Sequence, residues 1–159
     1  MYNASFYPTP PEVAEKMLAK VGKLYERSIL EPSAGKGDLA DAAVGKLECY
    51  YHTRCRELVH CIEIEPELQA AIRGKGYPLV GTDFLTFWPD EKYDLILMNP
   101  PFANGDAHLL HAWEILDHGD IVCLLNEQTL LNPCTSNRKL LATIIEEHGE
   151  VEHLGSCFA

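Results

Sequence analysis

Apolar residues in this chain gather in two kinds of run that alternate along its length. Short continuous blocks at residues 28–30, 58–64, 78–80, 93–98 and 120–125 are bounded by Gly, Pro or polar residues and predict buried strands. Between them, helices are predicted over 38–47, 67–73, 107–116 and 137–148, with Pro66 at the first turn of the second. Residues 8–21 predict a further helix ahead of the first strand, and 151–158 a sixth strand. No internal repeat or low-complexity linker interrupts the series. Strand alternating with helix across short connections means an α/β fold, a doubly wound, mostly parallel sheet covered on both faces. A sheet of this type normally closes with one more strand, and no run supplies it. Residues 1–159 are therefore expected to form one domain, a fragment of something longer rather than a pared-down version of the fold.

Composition narrows the class. With 47% apolar residues the chain is an ordinary globular protein and not a disordered one. No apolar run approaches the length of a membrane span. Residues 1–5 show neither a basic nor an apolar segment of a secretory signal, so a cytoplasmic location is expected. Thirteen Lys and Arg against 24 Asp and Glu give a net charge of −11. Nucleic-acid binders usually present a basic face. This chain is then either an acidic enzyme with a solvated surface or a domain that supplies chemistry while another domain or subunit supplies phosphate contacts.

The six cysteines (49, 55, 61, 123, 134 and 157) contain no C-x-x-C pair, and reduced thiols are expected, several of them buried. Cys49, His52 and Cys55 stand three apart with Cys61 nearby, a spacing that can be pictured around zinc. No second ligand pair follows at standard spacing, so no metal site is expected. Among the seven histidines, His108 and His111 form a helical i, i+3 pair, a spacing more typical of a solvated face.

Chemistry gathers at the predicted strand ends. Asn99-Pro100-Pro101-Phe102 follow the 93–98 block directly. Two prolines force a rigid extended turn. They would hold the Asn99 side chain and the Pro100 carbonyl as two fixed acceptors beside an aromatic ring. Such a group suits a planar amine, whose two N–H bonds the acceptors take while the ring stacks on the attached base. At the end of the first strand, Glu31-Pro32-Ser33-Ala34-Gly35-Lys36-Gly37-Asp38 form a Gly-rich turn in which Gly35 and Gly37 permit close backbone approach. Neither G-x-x-x-x-G-K-[ST] nor G-x-G-x-x-G is present. Glu31 is a poor neighbour for phosphate and a good one for a cationic sulfonium carrying an ammonium group. Ile62-Glu63-Ile64-Glu65-Pro66 end the second strand, and Glu63 is placed to bind vicinal ribose hydroxyls. Glu65 falls where an acid can simply favour a helix dipole. After the third strand, Asp83 and Phe84 offer an acceptor for an adenine amino group and a face for its ring.

Together these segments resemble the class I S-adenosylmethionine-dependent methyltransferases, whose amine-modifying members carry Asn-Pro-Pro followed by an aromatic residue. Thr9-Pro10-Pro11-Glu12 upstream makes them similar to the N6-adenine DNA methyltransferases in particular. The resemblance runs from Tyr7 to Phe158. It implies a Rossmann-like sheet and S-adenosylmethionine as cofactor. Thr9, Glu31, Ala34 and Gly35 would face its methionine end, with Gly37 in the same turn. Glu63 with Ile64 would face the ribose side, Asp83 and Phe84 the adenine. Asn99 to Phe102 would be the catalytic loop. The segment 154–158 resembles the family's later element that supplies a second aromatic, which makes Phe158 either the partner of Phe102 around a flipped base or a plain core residue. The last strand and any recognition domain are missing, and the charge is wrong for stand-alone DNA binding, which leaves the substrate open.

The expected reaction is methyl transfer to an exocyclic amine, adenine N6 in DNA first, with no metal and no Ser, Cys or His nucleophile. An RNA base, at adenine N6 or guanine N2, is the nearest rival. A protein glutamine amide and an inactive cofactor-binding subunit of a complex are further ones.

Overall fold

The computed structural model describes residues 7–158, so the segment 1–5, read above for a secretory signal, lies outside the described residues. Five short strands form one sheet: β1 (Ile29–Glu31), β2 (Val59–Ile62), β3 (Leu79–Gly81), β4 (Leu95–Met98) and β5 (Asp120–Cys123). All pairings are parallel, and the strand order is β3-β2-β1-β4-β5. Ile29 pairs with Val59 on one side and Leu95 on the other, so β1 lies at the centre. The chain winds outward through β2 and β3, then returns across β1 to start β4. That reversal opens a crevice at the C-terminal strand ends, where ligands bind in open α/β sheets.

Side-chain alternation along the strands sorts the core into two layers. Ile29, Val59, Cys61, Leu95 and Leu97 pack with α1 (Pro11–Ala19), α2 (Asp38–Lys46) and Ile72 of α3 (Pro66–Gly74). Leu30, Ile62, Ile96 and Met98 face the other way, toward Phe84, Tyr93 and Ala112 of α4 (Gly105–Ile115). α6 (Ser136–His148) lies against α4, and the short α5 (Gln128–Leu131) precedes it. Pro11 and Pro66 each stand at a helix start, where a missing N–H costs no hydrogen bond. No helix among the described residues is long and apolar enough to cross a membrane.

Three expectations need correction. Residues 151–158 are not a strand: their apolar positions (Val151, Leu154, Cys157 and Phe158) do not alternate with polar ones, and Gly155 turns the backbone at φ +66°. The segment instead ties itself down by side chains. Glu152 pairs with Lys20, His153 Nδ1 lies 3.0 Å from Glu127, and Leu154, Cys157 and Phe158 pack on the α1-side core. Cys49 and Cys55 are not free thiols but a disulfide, since the 3₁₀ turn His52–Leu58 brings their Cα atoms to 5.8 Å. That bond also removes the pictured zinc set, and no metal-binding cluster is found among the described residues. Third, the His108/His111 face is not solvated. They are 7% and 8% exposed, because α4 lays that face against Phe84 and the 87–88 segment.

Candidate active site

A cleft of about 340 Å³ opens at the β1/β4 switch point. The first turn, 31–37, docks on β2 through Ala34 N–H to the Ile62 carbonyl at 3.0 Å. The cleft brings together Thr9, Glu31, Ala34, Glu63, Ile64, Asp83, Phe84 and all four residues Asn99 to Phe102. Gly35, Gly37 and Phe158 do not line it. Gly35 acts one step back, donating its N–H to Glu63 Oε2 at 2.7 Å. At Gly37, with φ +88°, an added Cβ would meet Ile72 Cδ1 at 3.1 Å, so its place is the packing of the turn on α3.

Among the described residues, five carboxylates line the cleft (Glu31, Asp38, Glu63, Glu65 and Asp83), and no Lys or Arg does. An anion would be repelled here; a cation would be held. Glu31 is the extreme member, 2% exposed with Oε2 buried and without a hydrogen-bond partner among the described residues. Burial pushes its carboxyl well above the ordinary carboxylate range. The Ala40 backbone hydrogen bond opposes this, and the negative charges of Asp38, Glu63 and Asp41 add to it. A buried acceptor with nothing to accept fits a cationic or N–H-bearing ligand group.

Glu63 is held differently. Its two oxygens accept from Gly35 N–H and, at 2.8 Å, from Glu65 N–H, which fixes the carboxylate while leaving further lone pairs for hydroxyl donors. Asp83 Oδ1 accepts from Leu85 N–H at 3.0 Å and so starts the 84–86 turn that buries Phe84. Ile64 is an apolar side chain left 64% exposed on the cleft, a surface that a flat ligand ring would cover.

Asn99 follows β4 directly. Its Nδ2 donates to the Tyr7 carbonyl and to Thr9 Oγ1, both at 3.0 Å. Both amide hydrogens are thereby engaged, and the Oδ1 acceptor is fixed in direction. Thr9 thus touches the loop that begins at Asn99 as well as the cleft.

Among the lining residues that sequence reasoning did not assign to the site, Tyr7 and His108 stand out as aromatic groups with polar atoms. Nδ1 of His108 donates to the Asn104 carbonyl at 3.0 Å, so the Nε2 lone pair is the one available to other partners. Burial holds its pKa below the ordinary imidazole value. The signal was in the spacing, since His108, Ala112 and Ile115 share one helical face with the core. No comparable signal marked Tyr7.

No protein-family model matches the chain. Over 118 residues it is 26% identical to the type II methyltransferase M.CvrRI of Paramecium bursaria Chlorella virus XZ-6E, covering 73% of this chain and 29% of that one. The chain therefore spans less than a third of that relative's length. Among solved structures, a candidate RNA methyltransferase from Pyrococcus horikoshii matches with TM-score 0.64 and 24% identity, over 90% of this chain and 69% of that one. The modification subunit of a candidate type I restriction enzyme from Vibrio vulnificus YJ016 matches with TM-score 0.66 and 15% identity, over 91% and 39%. The architecture is the Rossmann-like fold of the class I methyltransferases.

Proposed function

We propose that this chain binds S-adenosylmethionine in the cleft and transfers its methyl group to an exocyclic amine of a nucleic-acid base, adenine N6 in DNA before others. The observation that carries the reading is the convergence of Asn99-Pro100-Pro101-Phe102 with three strand-end acids in a single cleft. Glu31 would meet the cationic methionine end, Glu63 the ribose hydroxyls, and Asp83 with Phe84 and Ile64 the adenine. When bound, S-adenosylmethionine supplies an electrophilic methyl group on a positively charged sulfur. The chain's own task is to prepare the amine.

Such an amine is a poor nucleophile because its lone pair is drawn into the ring. Asn99 Oδ1 and the Pro100 carbonyl accept its two hydrogens and favour a pyramidal nitrogen with the lone pair free to attack. This is orientation combined with fixed dipoles. Phe102 gives the base a stacking surface when it leaves the duplex. The amine proton passes to water after transfer.

The similarity to M.CvrRI favours DNA. The match to the Pyrococcus protein, over a larger share of its length, favours an RNA base as second reading. The acidic surface fits a domain that works beside a separate nucleic-acid-binding domain or subunit. Single-turnover transfer of labelled methyl, with enzyme in excess over DNA, RNA or protein pools, tests the proposal. Label in DNA adenine that is lost in Asn99→Ala is expected. Label in protein glutamine, or cofactor binding with no transfer to any pool, would overturn it.

A further inference from the structure

Three rings from distant parts of the chain meet beside the catalytic loop. Tyr7 lies on Phe102 as a stacked pair, centroids 4.8 Å apart and planes inclined by 24°. Phe158 meets Phe102 edge-on at 5.5 Å and 70°, and Tyr7 at 5.9 Å and 59°. A base held between two rings needs them nearly parallel and about 7 Å apart, twice a contact distance of roughly 3.5 Å. Neither partner of Phe102 leaves that gap. A face of Phe102 that a base could use is covered by Tyr7.

The two neighbours are held unequally. Phe158 packs on the α1-side core. Tyr7 is 45% exposed, and besides its ring contacts its backbone carbonyl accepts one hydrogen bond from Asn99. It stands just before Pro8-Thr9-Pro10-Pro11, a stiff run leading into α1 whose first proline keeps the Tyr7 backbone extended, so the ring leaves Phe102 by rotation of its side chain. Tyr7 also lines the cleft, so its withdrawal opens space beside Asn99.

Building on the methyltransferase reading above, we propose that Tyr7 is a resident substitute for the target base. In the free protein its ring covers the stacking face of Phe102, and the base takes that place by ring-for-ring exchange. The contact that Tyr7 gives up is regained by the incoming base, so exchange is nearly balanced for a flat aromatic group. The apolar face of Phe102 stays covered until a base arrives.

A single-stranded DNA oligonucleotide carrying 2-aminopurine, whose fluorescence is quenched on stacking, tests this on the whole chain at low salt. Tyr7→Ala should bind it roughly two- to tenfold more tightly than the wild type, the range to which the worth of one aromatic pair converts. Tyr7→Phe should behave as wild type, and Phe102→Ala should lose the quench. Weaker binding by Tyr7→Ala would make Tyr7 a wall of the base site and overturn the proposal. Unchanged binding, or no quench in either protein, would show that its ring does not compete and overturn it equally. Calorimetry of wild type with S-adenosylhomocysteine separates the two levels: failure there sinks the methyltransferase reading, while cofactor binding with an unmoved Tyr7→Ala sinks only the exchange.

Discussion

Glu31 shows how a single buried carboxyl ties stability to ligand binding. In the empty protein its raised pKa means that the folded state keeps a proton which the unfolded state releases above about pH 4.3. The folded state therefore holds more protons, and stability falls as pH rises from there toward the folded pKa. Glu31→Gln cannot ionise, so the empty variant should melt higher than wild type at neutral pH and show a flatter pH profile. The same change should weaken S-adenosylmethionine binding by roughly 1–3 kcal/mol. Melting curves across mildly acidic to neutral buffers, paired with calorimetry, check both halves. A lower melting temperature for the variant would contradict the burial argument. Thr9 offers a complementary test. Thr9→Val removes an acceptor from the Asn99 amide and should slow single-turnover transfer roughly ten- to hundredfold through misplacement of Oδ1, less than Asn99→Ala does. An equal loss in cofactor affinity with no loss of rate would assign Thr9 to the cofactor alone. That Glu31, Glu63, Asp83 and Asn99 gather at one cleft was legible because each ends or follows a readable apolar block. The place of Tyr7 was not, since it is set by ring contacts with Phe102 and Phe158, both remote in sequence.

At the scale of elements, the parallel strands and their helices followed from run length and spacing, with boundaries moved by a few residues. What failed was the stretch after α6, where a high apolar content without period-two alternation was read as a strand. Pairing in this sheet depends on tight backbone junctions as well as on apolar side chains. Gly119, at φ +123°, leads into β5, and an added Cβ there would stand 2.3 Å from the Asp94 carbonyl oxygen. That same carbonyl accepts from Asp120 N–H at 3.1 Å and begins the β4–β5 pairing. Gly119→Ala should therefore destabilise the fold by about 1–3 kcal/mol or more. Gly45 in α2 has open space around its Cβ position, and Gly45→Ala should add about 0.5–1 kcal/mol. Denaturant titrations of the two variants check the contrast, and equal shifts would refute it.

For the whole molecule the governing quantity is charge. Phosphate neutralisation supplies most non-specific affinity for nucleic acid, and here acids exceed bases by eleven. Residues 1–159 alone should bind duplex DNA weakly even at low salt and turn over slowly, while binding S-adenosylmethionine normally. Gel shifts against a salt series check this. Tight, sequence-specific binding by this chain would place a recognition surface within it. The sequence conveyed this imbalance directly. It did not convey where the charges lie, and the structure puts five of the acids on one cleft.

The meeting of Tyr7 with Phe158, 5.9 Å between ring centroids, also brings the two limits of the described residues into side-chain contact. Two positions in contact in this way can be linked and the chain reopened elsewhere without disturbing its sheet. The exposed 90–92 segment between the 3₁₀ turn Phe84–Thr86 and β4 is the natural point to cut, since it holds no strand pairing. A circular permutant of residues 7–158 that starts at Glu91 and joins Phe158 to Tyr7 by a Gly/Ser linker should fold, with a circular dichroism spectrum like the parent's and cofactor affinity retained. The same linker would tether Tyr7 and slow its departure from Phe102. Failure of the permutant to fold would mean that the β3–β4 connection cannot be opened without loss of the sheet.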